Sequence, residues 1–109
     1  MNNLEESILE FVKQRGGGVT FAELSALPGF AGEKEMVNEE YNHVLWSGIS
    51  DEFIDALKAL RTKLSIRPTS YLTYLADGKL LSLPLVKRPV KYKKPRWLPV
   101  TFSLKEAHE

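Results

Sequence analysis

Apolar residues recur at helical spacing through the first part of the chain. Leu4, Ile8, Phe11 and Val12 share one face, which predicts a helix over residues 4–14. Asn3 with Glu6 fits a capping box at its start, and Gly16-Gly17-Gly18 ends it. Thr20 with Glu23 makes a second capping box, with Val19 and Leu24 spaced as a hydrophobic staple across it. Pro28 and Gly29 close this short helix near Leu27. Val37, Tyr41, Val44 and Leu45 then fall on one face of a further predicted helix over 33–46, which Ser47 and Gly48 break. Ser50 is a good N-cap for the next helix, with Asp51 and Glu52 in the favourable first turn. Phe53, Leu57, Leu60 and Leu64 line the buried side of that helix, which is expected to run to Leu64.

The period changes after Pro68. Tyr71 to Leu75 reads as a strand, Asp77-Gly78 as a tight hairpin turn with Gly78 at positive φ, and Lys79 to Leu83 as the returning strand. Pro84, Pro89, Pro95 and Pro99 punctuate the remainder of the chain. Because proline lacks a backbone donor, they argue against a central strand between Val86 and Leu98. Val100 to Leu104 reads as a short final strand, and residues 105–109 as a flexible tail. The expected class is α+β: three or four helices followed by a β-hairpin, in one domain over residues 1–104, with 86–98 a basic, proline-punctuated segment.

That order resembles the winged-helix superfamily. The resemblance is carried by Gly18-Val19-Thr20-Phe21-Ala22-Glu23-Leu24, similar to the short strand and second helix of that fold. It continues in Phe53-Ile54-Asp55-Ala56-Leu57-Lys58-Ala59-Leu60, similar to its recognition helix. Leu64-Ser65-Ile66 and the turn at Asp77-Gly78 resemble the wing. Two departures qualify the resemblance. Residues 28–50 replace the usual tight turn between the second and third helices. The amino-terminal turn that would meet base edges carries Asp51, Glu52 and Asp55, and carboxylates repel phosphate. Such domains serve both nucleic-acid and protein recognition, so fold alone does not decide between them.

Charge adds the most informative feature. The net charge of +1 conceals a dipole along the sequence: residues 1–60 carry four Lys or Arg against eleven Asp or Glu, and residues 61–109 carry eleven against three. A local basic surface attracts polyanions even on a nearly neutral molecule. Lys87, Arg88, Lys91, Lys93, Lys94 and Arg96 place six positive charges within ten residues, without an acid among them and with Tyr92 and Trp97 interleaved. Cations neutralise phosphates and an aromatic ring stacks on an unpaired base, so this segment, with Tyr92 as the stacking ring, is the candidate nucleic-acid contact. Lys58, Arg61 and Lys63, on the exposed sides of the helix after Ser50, join it if the fold brings them alongside. The expected partner is nucleic acid, DNA ahead of RNA. The alternatives for the segment are an acidic protein surface and a solvated linker whose Trp97 packs in the core.

Other chemistry is sparse. The chain has no cysteine, hence no disulfide framework, thiol nucleophile or thiolate metal site. No apolar run approaches the roughly 20 residues of a membrane span. The acidic, polar start lacks a secretory pattern, so a cytoplasmic location is expected. Glu40 and His43 form an isolated Glu-x-x-His without the second copy and extra glutamates of a di-metal bundle, and a surface contact on the predicted 33–46 helix is the expected role for His43. The glycine run lacks the Lys-Ser/Thr of a phosphate loop. No nucleophile has an adjacent histidine. A non-enzymatic protein with no catalytic residue, metal or cofactor is therefore expected. The second reading is a protein-interaction module or small adaptor subunit. In it Tyr41, Leu45 and Trp46 form an exposed apolar patch, rimmed by Glu33, Glu35, Glu39 and Glu40, that pairs two subunits or recruits a partner.

Overall fold

The computed structural model describes residues 2–105. Helix α1, Asn3–Arg15, starts one residue earlier than the capping-box pattern predicts: Asn2 is the N-cap, its Oδ1 accepting from Glu5 N at 2.8 Å. Glu5 and Glu6 in the first turn and Lys13 and Arg15 in the last complement the helix dipole. Gly16 ends the helix in the left-handed conformation, φ 75°, and Gly17 N returns to Val12 O. Strand β1, Val19–Thr20, runs directly into the short helix α2, Phe21–Leu24, where Thr20 and Glu23 form the expected capping box. An Arg15–Glu23 ion pair at 2.8 Å ties the end of α1 to it.

The helix expected over 33–46 is a β-hairpin instead. Strands β2, Ala31–Asn38, and β3, His43–Ile49, pair antiparallel about a turn in which Asn42 takes φ 57°. Asparagine tolerates that left-handed geometry better than most residues, and its position between Val37 and Val44 reverses the chain. Bulges bend the hairpin. At one, Gly32 approaches Ser50 so closely that a Cβ would lie 2.6 Å from Ser50 N.

Ser50 caps helix α3, Asp51–Ala59, accepting from Phe53 N at 3.1 Å and donating to Gly29 O at 2.6 Å. The helix stops short of the predicted Leu64: Leu60 caps it, and Leu64 opens strand β4, Leu64–Pro68. Tyr71 to Leu75 is not a strand. Its residues 72–75 form a short helix α4, Leu72–Leu75, and Asp77-Gly78 is the turn that ends it, with Gly78 N donating to Leu75 O. Gly78 has the expected positive φ, 69°, but caps a helix rather than a hairpin, and residues 79–83 form no strand. Between Pro95 and Pro99 only two residues pair, as strand β5, Arg96–Trp97, parallel to β3. On its other side Trp97 N donates to Pro84 O and Val86 N to Trp97 O. Strand β6, Val100–Leu104, is the expected final strand. Of the expected tail, Lys105 is described, its N donating to Lys63 O, and residues 106–109 lie outside the described residues.

The fold is α+β, with four helices and two three-stranded sheets of order β1-β6-β4 and β2-β3-β5 among the described residues. Ile8 and Val12 of α1, Phe21 and Leu24 of α2, Phe53 and Leu57 of α3, and Phe102 of β6 pack in one core. Aromatic rings join the two sheets through it. Phe21 stacks on Trp46 at 5.7 Å and meets Phe102 edge-on at 5.0 Å, while Tyr74 lies 5.3 Å from Trp46 and 5.2 Å from Trp97. Tyr74 suspends α4 on this cluster: its hydroxyl donates to Val100 O at 2.6 Å and accepts from Phe21 N at 3.0 Å. Burial pushes its phenol up to about 12. No helix among the described residues is long and apolar enough to cross a membrane.

Candidate nucleic-acid interface

The basic segment crosses the β2–β3 turn as a strap, held by its backbone and by side chains on both sides. Tyr92 N donates to Tyr41 O at 3.1 Å, Asn42 Nδ2 to Tyr92 O at 2.7 Å, and Arg96 N to Asn42 O at 2.9 Å. His43, buried at the start of β3, lies 2.9 Å through Nε2 from Val90 O. A carbonyl only accepts, so Nε2 carries the proton. Residues Asn42 and His43 thus position the strap, a role that sequence reading missed. The close spacing of Asn38 and Asn42 was its only trace, as a turn signal.

Two of the predicted contacts are internal to the strap. The Tyr92 hydroxyl accepts from Lys87 N and Arg88 N, both at 3.1 Å, and the Arg96 guanidinium lies 4.5 Å over the Tyr92 ring. The hydrogen bond from Lys87 N lowers the Tyr92 phenol below its usual value, helped by Arg88 N and by the charges of Arg96 and Arg88, against desolvation. Arg96 also donates through Nη1 to Leu85 O at 3.1 Å. Its guanidinium covers one face of the Tyr92 ring, and His43, tilted with centroids 5.8 Å apart, lies beside it. Tyr92 is therefore not presented as a bare stacking platform.

Lys87, Arg88, Lys93 and Lys94 are exposed, and among the described residues none of the four has a carboxylate partner. Lys91 lies 3.7 Å from Glu40, an exposed pair that adds little stability. Lys58 lines a separate groove against β2, beside Glu33, Glu35 and Glu39, and Arg61 follows α3 with its amide bonded to Lys58 O. Among the described residues no hydrogen bond or ion pair joins either to the strap. This chain matches no protein-family model, no curated protein and no solved structure.

The expected Tyr41–Leu45–Trp46 patch does not form. Trp46 is core, stacked on Phe21. Leu45 sits at a bulge of β3 and lines the groove with Lys58, while Tyr41 is half-buried in the turn under the strap. Helical spacing would gather the three; on a strand, successive side chains point to opposite faces. Among the described residues no three His, Asp or Glu side chains cluster as metal ligands do.

Proposed function

We propose that the chain is a non-enzymatic nucleic-acid-binding protein whose basic strap neutralises phosphates. The observation that carries this reading is the division of labour in the strap: Tyr92, Arg96, Asn42 and His43 hold it, and Lys87, Arg88, Lys93 and Lys94 stay exposed and unpaired by acids among the described residues. A solvated linker needs no such fixing. Cations on a fixed backbone lose less conformational freedom on meeting phosphate than cations on a free tail.

A winged-helix-like origin is consistent with part of the topology. The strand order β1-β6-β4, joined by α1, α2 and α3, is supported as a wing sheet if β2–β3 is an insertion before α3 and residues 69–99 an insertion between the wing strands. In that reading the insertions carry the binding surface. The exposed Asp51, Glu52 and Asp55 at the start of α3 disfavour its insertion into a groove.

A protein-binding reading is favoured by a different surface, the groove of about 530 Å³ between β2 and α3. Met36, Leu45 and Ile54 line it, with Glu33, Glu35 and Glu39 beside them. Titration of labelled duplex DNA, single-stranded DNA and RNA over a range of salt separates the two. Phosphate neutralisation predicts binding that weakens as salt rises. Absence of binding at low salt rejects the nucleic-acid reading.

A further inference from the structure

A cleft of about 520 Å³ opens beside the strap, between Pro68–Tyr71 and Leu85–Pro89, with His43, Leu98 and Pro99 completing its wall. We infer that this cleft receives an unpaired nucleotide, so that the ligand of the strap is single-stranded nucleic acid; the inference rests on the nucleic-acid reading proposed above.

Four observations converge on that ligand. The volume falls in the roughly 300–1,000 Å³ range of small-ligand pockets, larger than incidental gaps between side chains. Its walls are largely apolar, from Pro68, Leu85, Val86, Pro89, Leu98 and Pro99, which suits the faces of a base. Tyr71 lines it and is 40% exposed, which leaves a ring available for stacking where Tyr92 is covered by Arg96. Lys87 and Arg88 stand in its wall, and no residue lining it is acidic. Aromatic ring and cations together form the combination that binds single strands.

The position of the cleft is set by the elements already described. Thr69 N donates to Pro99 O at 2.9 Å, which holds the Pro68–Tyr71 side against the start of β6. The other side hangs from β5 through Val86 N and from His43 through Val90 O. The side-chain polar groups near Tyr71 are engaged locally: Ser70 Oγ accepts from Leu72 N, and the Thr69 and Thr73 hydroxyls lie 3.2 Å apart. The largely apolar walls leave few polar groups to read a base edge. Recognition by stacking and charge tolerates any base, so the cleft should show little sequence preference.

The test uses the whole chain with a labelled deoxythymidine dodecamer and a duplex of equal length. Tyr71→Ala is expected to weaken binding of the single strand by about 5- to 150-fold, the loss of one stacked base, with an unchanged salt slope and unchanged duplex binding. Tyr71→Phe should bind like the wild type. Crosslinking of the wild type to a dodecamer containing 5-iododeoxyuridine supplies a readout independent of variant folding, with Tyr71 the expected modified residue. If neither ligand binds, the nucleic-acid reading itself fails and the cleft assignment with it. If both bind alike, Tyr71→Ala is silent and the crosslink maps elsewhere, the cleft assignment alone is overturned. Displacement of the dodecamer by polyglutamate of equal charge, as effectively as by unlabelled dodecamer, overturns it in favour of an acidic protein partner.

Discussion

The guanidinium of Arg96 lies 4.5 Å over the ring of Tyr92, and the same side chain donates to Leu85 O. One of the six cations of the basic segment is thus spent on shaping the segment. Arg96→Lys should lower stability by about 1 kcal/mol, because lysine offers neither the planar face nor the fork geometry. Urea unfolding measures it. An unchanged midpoint would mean that the Arg96–Tyr92 contact does not hold the strap.

Ser50 both caps α3 and ties it to Gly29 O. Ser50→Ala should destabilise by about 1 kcal/mol through loss of the acceptor for Phe53 N. Gly32 presses on the same residue from the other side. Gly32→Ala should cost about 1–3 kcal/mol, since a Cβ there meets backbone that cannot move aside. Gly78→Ala, with open space around it but φ at 69°, should cost about 1–2 kcal/mol from left-handed strain alone. Thermal unfolding of the three variants measures these losses. Wild-type stability in Gly32→Ala would contradict the close approach.

The difference between these glycines shows what the sequence made legible. Local chemistry carried through: Thr20 with Glu23 and Ser50 before Phe53 are caps decided by a few neighbouring residues, and each caps where expected. Gly78 was legible as a positive-φ position but not as a helix end, because a hairpin turn and a helix C-cap make the same demand on a glycine. Residues 33–46 were ambiguous in principle. Val37, Tyr41 and Val44 fit a helical face and equally two strands about a turn, and pairing between β2 and β3 decided the matter. The basic cluster was visible as composition. Which of its members stay free was not, because Asn42, His43 and Leu85 hold it from elsewhere in the chain.

Tyr74 gives the fold a dependence on alkaline pH. Its phenol is raised from 10 to about 12 by burial, so the folded state holds the proton more tightly than the unfolded chain. The stabilisation is complete below pH 10 and is lost as pH rises toward 12, by roughly 2–3 kcal/mol. Tyr74→Phe should remove that loss. It should also lower stability at neutral pH by about 1–3 kcal/mol, because the buried Phe21 N–H loses its acceptor. Unfolding free energies from pH 8 to 12 for both proteins check the sign; parallel curves would contradict it.

The most direct test of the strap is the salt dependence of binding after its free cations are removed. Wild type and the combined Lys87→Gln, Arg88→Gln, Lys93→Gln and Lys94→Gln variant are titrated by fluorescence anisotropy against the same labelled single strand, from about 50 to 200 mM salt. Each phosphate contact on a single strand contributes about 0.7 to the slope of log affinity against log salt, so loss of four should flatten it by about 3. That flattening is expected together with a large loss of affinity and an unchanged unfolding midpoint. Equal slopes for a folded variant and the wild type would contradict phosphate neutralisation by the strap.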